Sequence, residues 1–327
     1  MTGATAVGSG GSIYAISSVI TIEGTSIKST KANLGGCIAA NSESQLAMRD
    51  VTVEGSEAIE AGGVVNTFET IVTIEDSHFK NFLRGGFVGD KVVELNLNNV
   101  IIEEGEYDFG GCLYCSRCSV VNIQKSTFQY CNATIAGGIY LGTRTDTAIA
   151  ATYTLTNNTI AHNIAEEGGG LFTDNIKINI TETLFNNNTA IGNVDFDVLN
   201  LIYGKGGGAV FACTAQSDCF FNLLRNKWHN NTAYANGGAI SWNDIKPNNT
   251  DSEYINNTAA YAGNESSFPV TLVAVDEDGT FMAASNETRR LEDIPVATSV
   301  TSVASGQDEG RTLRIALVDH NGEICAT

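Results

Sequence analysis

A chain of 327 residues with 43% hydrophobic content is long enough to bury a core of its own. Its net charge of −19, from 37 acidic against 18 basic side chains, repels phosphate backbones and argues against nucleic acid as a partner. No apolar run approaches the ~18 residues of a helical membrane span, and 34 Gly with only 3 Pro points to many evenly spaced turns rather than a linker.

A glycine pair followed by mostly apolar residues recurs from the N-terminus onward. Its second glycine falls at Gly11, Gly36, Gly63, Gly86, Gly111, Gly138, Gly170, Gly208 and Gly238. One supersecondary unit stacked nine times is the expectation. A first apolar anchor follows in eight copies, at Ile22, Met48, Ile74, Leu97, Ile123, Leu155, Ile180 and Leu223. Five residues later stands a second, at Ile27, Val53, Phe79, Ile102, Phe128, Ile160, Phe185 and Trp228, and the ninth copy has Asn249 and Tyr254 at these places. Alternation such as Val19-Ile-Thr-Ile22 and Ile71-Val-Thr-Ile74 is strand chemistry. Turn-forming Thr25, Ser77, Ser126, Asn158, Thr183, Asn226 and Ser252 each lie two residues before the second anchor. Each unit therefore reads as three short strands.

The fold class expected is all-β: a right-handed, single-stranded parallel β-helix of about nine rungs over residues 1–263. Later anchors open an apolar-x-x-Asn-x-Ala signature, with Asn163, Asn188, Asn231 and Asn257 predicted to form an amide ladder. Inserts interrupt the register near Thr143–Ala150, Ile191–Lys205 and Cys213–Cys219. Residues 264–327 carry the hairpin signals of an antiparallel, immunoglobulin-like β-sandwich segment, expected to be incomplete. Met1-Thr-Gly-Ala runs straight into the first repeat without a leader, as expected of a segment of a longer protein.

Eight cysteines and nine Asn-x-Ser/Thr sequons favour an oxidising, secretory compartment. The candidate glycosylation sites are Asn132, Asn157, Asn179, Asn187, Asn230, Asn248, Asn256, Asn264 and Asn286. A Cys213–Cys219 disulfide would pin the base of an insert. Disulfides among Cys112, Cys115, Cys118 and Cys131 are preferred to a zinc site, with connectivity open. Cys37 and Cys112 are expected to fill the core separately or to pair elsewhere, and Cys325 to pair outside the segment.

Gly-Gly-Ala-Ile at 237–240 and Phe-x-x-Asn at 185–188 resemble the paired motifs of chlamydial polymorphic outer-membrane proteins. They are equally similar to those of large pectin-lyase-like surface proteins of ciliates and other protists. The resemblance spans about residues 8–262 and implies a secreted or surface-exposed β-helix used for adhesion or as extracellular scaffold. The bacterial family's C-terminal membrane barrel is missing here, and the Ser266-Ser-Phe-Pro-Val270 exit is closer to the protist proteins. The catalytic strings of polygalacturonase-like enzymes do not occur.

Asp195 and Asp197 are the best carboxylate pair for acid–base work, and calcium is the one cofactor considered for them; a solvated loop is the plainer reading. Glu103, Glu104, Glu106 and Asp108 form a second acidic patch, weighed as a calcium site against the plainer solvated turn. Gly204-Lys-Gly-Gly-Gly208 lacks the ending of a phosphate loop. His78, His162, His229 and His320 are dispersed and read as surface residues, and the anchor aromatics as core. The function expected is non-enzymatic extracellular scaffolding or adhesion, with self-association or other extracellular proteins and glycans as partners. The alternative is a polysaccharide-binding or polysaccharide-cleaving β-helix.

Overall fold

The computed structural model of the chain describes residues 1–143, 152–192, 205–213, 218–243, 245–267, 269–275, 314–319 and 324–326. The chain divides into two compact units, Met1–Glu265 and Ser266–Thr327. Every described element is a β-strand or turn.

The first unit is a parallel β-solenoid of about nine coils. Its register follows the three predicted files of inward residues. The strand after each glycine bend stacks Ile13, Ile38, Val65, Phe87, Leu113, Ile139, Leu171, Ala209 and Ile240. The first anchors stack from Ile22 through Leu223 to Asn249. The second run from Ile27 through Trp228 to Tyr254. Parallel pairing places like on like ~4.8 Å apart, so one continuous apolar interior results. Phe185 and Trp228 lie in it with ring centroids 4.1 Å apart.

Coils have four strands, not the three expected. The additional strand leads into each glycine bend, as in Asn132–Ile135, Ile164–Glu167, Thr189–Ala190 and Thr232–Asn236. In the last three its buried apolar residue is the alanine two places after the ladder asparagine, Ala165, Ala190 or Ala233, and Glu167 and Asn236 are buried further along. A strand this short shows too little alternation to be seen in sequence.

Left-handed residues turn the corners between these strands. At the glycine bend they are Gly10, Gly35, Gly62, Arg84, Gly110, Ala136, Gly168, Gly206 and Gly237, each three positions before its inward residue. Both glycines of the last pair need their missing Cβ: on Gly237, at φ +65°, it would lie 2.3 Å from the Ile240 carbonyl oxygen, and on Gly238 2.4 Å from that of Gly263.

Two ladders satisfy the backbone at the corners. Asn163 donates to Asn188 (3.1 Å), Asn188 to Asn231 (3.1 Å) and Asn231 to Asn257 (3.0 Å) through their side-chain amides. The same amides donate to the carbonyls of Phe128, Ile160, Phe185 and Trp228. At the preceding corner Ser77, Ser126, Asn158, Thr183, Asn226 and Ser252 each accept a backbone N–H from the neighbouring coil.

In the last coil two of the inward files turn polar, at Asn249 and Tyr254, while Ile240 keeps the third apolar. Asn249 and Tyr254 both donate to the Glu265 carboxylate, Asn249 at 2.8 Å, and burial pushes the Tyr254 hydroxyl's pKa up. In the second unit the strand Arg314–Asp319 pairs antiparallel with both Pro269–Val275 and Ile324–Ala326.

Candidate functional site

A groove lies over the fourth strands of the solenoid. Their outward residues form a file that includes Leu83, Glu106, Asn132 and Ile164. The groove has a volume of about 430 Å3. Its apolar lining is Leu83, Tyr107, Ala133 and Ile191; its polar lining is Arg84, Glu106, Asp108, Asn132, Thr134 and Glu166. Arg84 approaches Asp108 to 3.9 Å, and both side chains are at least half exposed, so the pair contributes little to stability. One guanidinium faces three carboxylates, which leaves the groove anionic.

Beside the groove the outer side of the glycine bend forms an elbow filled by a second apolar cluster. Val88, Tyr114 and Tyr140 are buried in it, with Tyr107, Phe109, Ile135 and Phe172 packed against them. Tyr114 stacks on Tyr140 at 5.2 Å and Tyr140 on Phe172 at 5.8 Å, and the Tyr140 hydroxyl donates to Asp174. The file Phe109–Ile135 continues into charge: Glu167 pairs in register with Ile135, and the Lys205 carbonyl accepts from the next residue, Gly168. Glu167 is 6% and Lys205 2% exposed. Burial raises the Glu167 carboxyl to about 7, opposed by Lys205 and reinforced by Glu166. Burial likewise lowers Lys205 to about 8, opposed by Glu167.

The acidic patch at 103–108 is cross-braced by the preceding coil. Glu103 lies 2.9 Å from His78 and 3.6 Å from Lys80 and accepts from Gln129, while Lys80 reaches Glu104 at 3.2 Å. Burial works against the Glu103 charge, but hydrogen bonds from Gln129 and His78 hold its pKa below the usual value. No group of three or more His, Cys, Asp or Glu is placed to hold a metal among the described residues. Asp195 and Asp197 lie outside them.

Among the sequon asparagines, Asn132, Asn157, Asn187, Asn230, Asn248, Asn256 and Asn264 are exposed, Asn179 is half-buried and Asn286 lies outside the described residues. Asn187, Asn230 and Asn256 occupy one left-handed corner on consecutive coils. Three disulfides join Cys112 to Cys131, Cys115 to Cys118 and Cys213 to Cys219. Cys37 is a buried free thiol, its pKa pushed up to about 12 by burial. Cys112 therefore does not stand alone in the core: its coil places it 5.5 Å from Cys131, Cα to Cα, across the bend. Of the histidines, His78 pairs with Glu103, His162 stacks on Tyr130 at 4.9 Å and His229 lies 3.7 Å from Glu253; His320 is outside the described residues.

Sequence reading missed the elbow and the Glu167–Lys205 pair. Tyr114, Tyr140 and Phe172 do recur at coil spacing, and that was the available signal. Lys205 stands at the end of the insert expected over Ile191–Lys205, and nothing in its sequence neighbours marks it as buried. Comparison of the chain with protein families, curated proteins and solved structures returned no match.

Proposed function

We propose that the chain is a secreted, glycosylated scaffold or adhesion module that meets its partners through the lateral faces of the solenoid. The observation that carries this reading is the combination of three disulfides with seven exposed sequon asparagines on the outside of one continuous stack. The disulfides fit an oxidising compartment, and no described helix is long and apolar enough to cross a membrane. Kinship with the surface proteins its repeats resemble, and an immunoglobulin-like module after residue 263, belong to the same proposal.

The test is expression through a eukaryotic secretory pathway. The intact mass is expected to fall on enzymatic glycan removal, and sedimentation is expected to show self-association or binding to an extracellular partner. Release without glycans, as a monomer that binds nothing, would sink the reading. The anionic groove supports a second reading, capture or cleavage of an external polysaccharide. A glycan array, with turnover assays of Asp195→Ala and Asp197→Ala, separates the two.

A further inference from the structure

We infer that the lateral groove is the bed of an N-linked glycan carried by Asn132, so that this glycan, unlike those at the corners, is part of the packed structure. The inference rests on the secretory reading above and assigns one site within it. Asn132-Ala133-Thr134 is a sequon whose three residues all line the groove. Asn132 opens its strand exposed, set in register between Glu106 and Ile164, so a glycan on its amide starts inside the groove.

The lining matches a sugar chain on both of its chemical faces. Leu83 is 48% and Ile191 43% exposed, and with half-buried Tyr107 they leave an apolar floor uncovered. A pyranose ring offers C–H faces to such a floor and hydroxyls to a polar rim, here Arg84, Glu106, Asp108 and Glu166. A volume of about 430 Å3 lies in the range of small-molecule sites. The charge selects among sugars. Three carboxylates against one guanidinium repel uronate and sulfated chains and accept the neutral, N-acetylated core of an N-glycan. Asn157, by contrast, is an exposed left-handed turn residue outside the lining of this groove, and serves as the reference site.

The experiment uses the full chain secreted from a glycosylating host. Site occupancy is read by glycopeptide mass spectrometry, and the rate of enzymatic release at each asparagine is measured on native and on unfolded protein. Asn132 is expected to be occupied and its glycan released at least about tenfold more slowly than that of Asn157 in the native state. Unfolding should make the two rates equal. Asn132→Gln and Thr134→Ala should each lower the melting temperature, and Asn157→Gln should not. Should Leu83→Ser fold, it should accelerate native release at Asn132 alone. Asn132 bare while other sequons are occupied, or released as fast as Asn157, overturns the inference and leaves the groove to an external ligand. A protein bare at every sequon overturns the secretory reading together with it.

Discussion

The two halves of the solenoid solve one corner in different ways. In the C-terminal half, Asn163, Asn188, Asn231 and Asn257 repeat a single amide. In the N-terminal half the same file begins with Thr30 and Ser56, whose hydroxyls bond at 2.8 Å. Phe82 and Gly105 follow as a size-matched pair: a Cβ on Gly105 would lie 2.0 Å from the Phe82 ring. Next comes Cys131, tied to Cys112. The elbow shows the same division, apolar at Phe109 and Ile135 and charged at Glu167 and Lys205. A coil corner thus demands a shape and a satisfied backbone, and several chemistries supply both.

Breaking the charged elbow should have the largest effect. Lys205→Met removes the one charge that opposes the burial of Glu167 and is expected to destabilise the fold most at alkaline pH. The signs follow from the two shifts. Glu167, raised to about 7, favours the folded state most below its unfolded pKa of ~4.3, and that stability is lost as pH rises through 7. Lys205, lowered to about 8, favours it most above ~10.4, and that stability is lost as pH falls through 8. Denaturant titrations should therefore find Lys205→Met worse at pH 9 than at pH 5, Glu167→Gln worse at pH 6 than at pH 9, and the double variant milder than either. Pair-independent losses would refute the coupling.

Asn188→Ala tests the amide ladder. It strips partners from the buried Ile160 carbonyl and Asn163 N–H, for an expected loss of about 3 kcal/mol. Hydrogen exchange should show the opening spread along coils 163–257 rather than into the Phe82–Gly105 region.

The disulfides sharpen the comparison with effects equal to or smaller than that of the ladder. Cys112→Ser with Cys131→Ser opens a 19-residue separation and should cost about 3 kcal/mol. Cys213→Ser with Cys219→Ser opens 6 residues and should cost about 2 kcal/mol. Thermal melts of the oxidised proteins read both, and a reversed order would contradict the loop-entropy account.

Much of the fold was legible because the inward files keep their apolar identity coil after coil, as from Ile22 to Leu223. The glycine pair was a less faithful ruler. Phe87, Ile139, Leu171 and Ala209 follow their second glycine directly, whereas Ile13, Ile38, Val65, Leu113 and Ile240 stand one residue further on. What is constant is the left-handed residue three places upstream, a part taken without glycine by Arg84 and Ala136. The ladder was visible where one residue type repeats, at Asn163 to Asn257, and invisible where Thr30, Ser56, Phe82, Gly105 and Cys131 share one position. The groove was hidden because Leu83, Tyr107, Asn132 and Ile191 come from four coils, and only the register brings them together.

Asn249, Tyr254 and Glu265 give the stack a grammar of its own. A repeat array extends by duplicating a unit, and any duplicate placed against an apolar layer is welcome there. A layer in which an amide and a phenol take two inward positions, both bonded to one carboxylate, offers the next coil less of that reward. The two anchor files therefore end, at Asn249 and Tyr254, in side chains whose polar groups are turned to Glu265 and not to a further apolar layer.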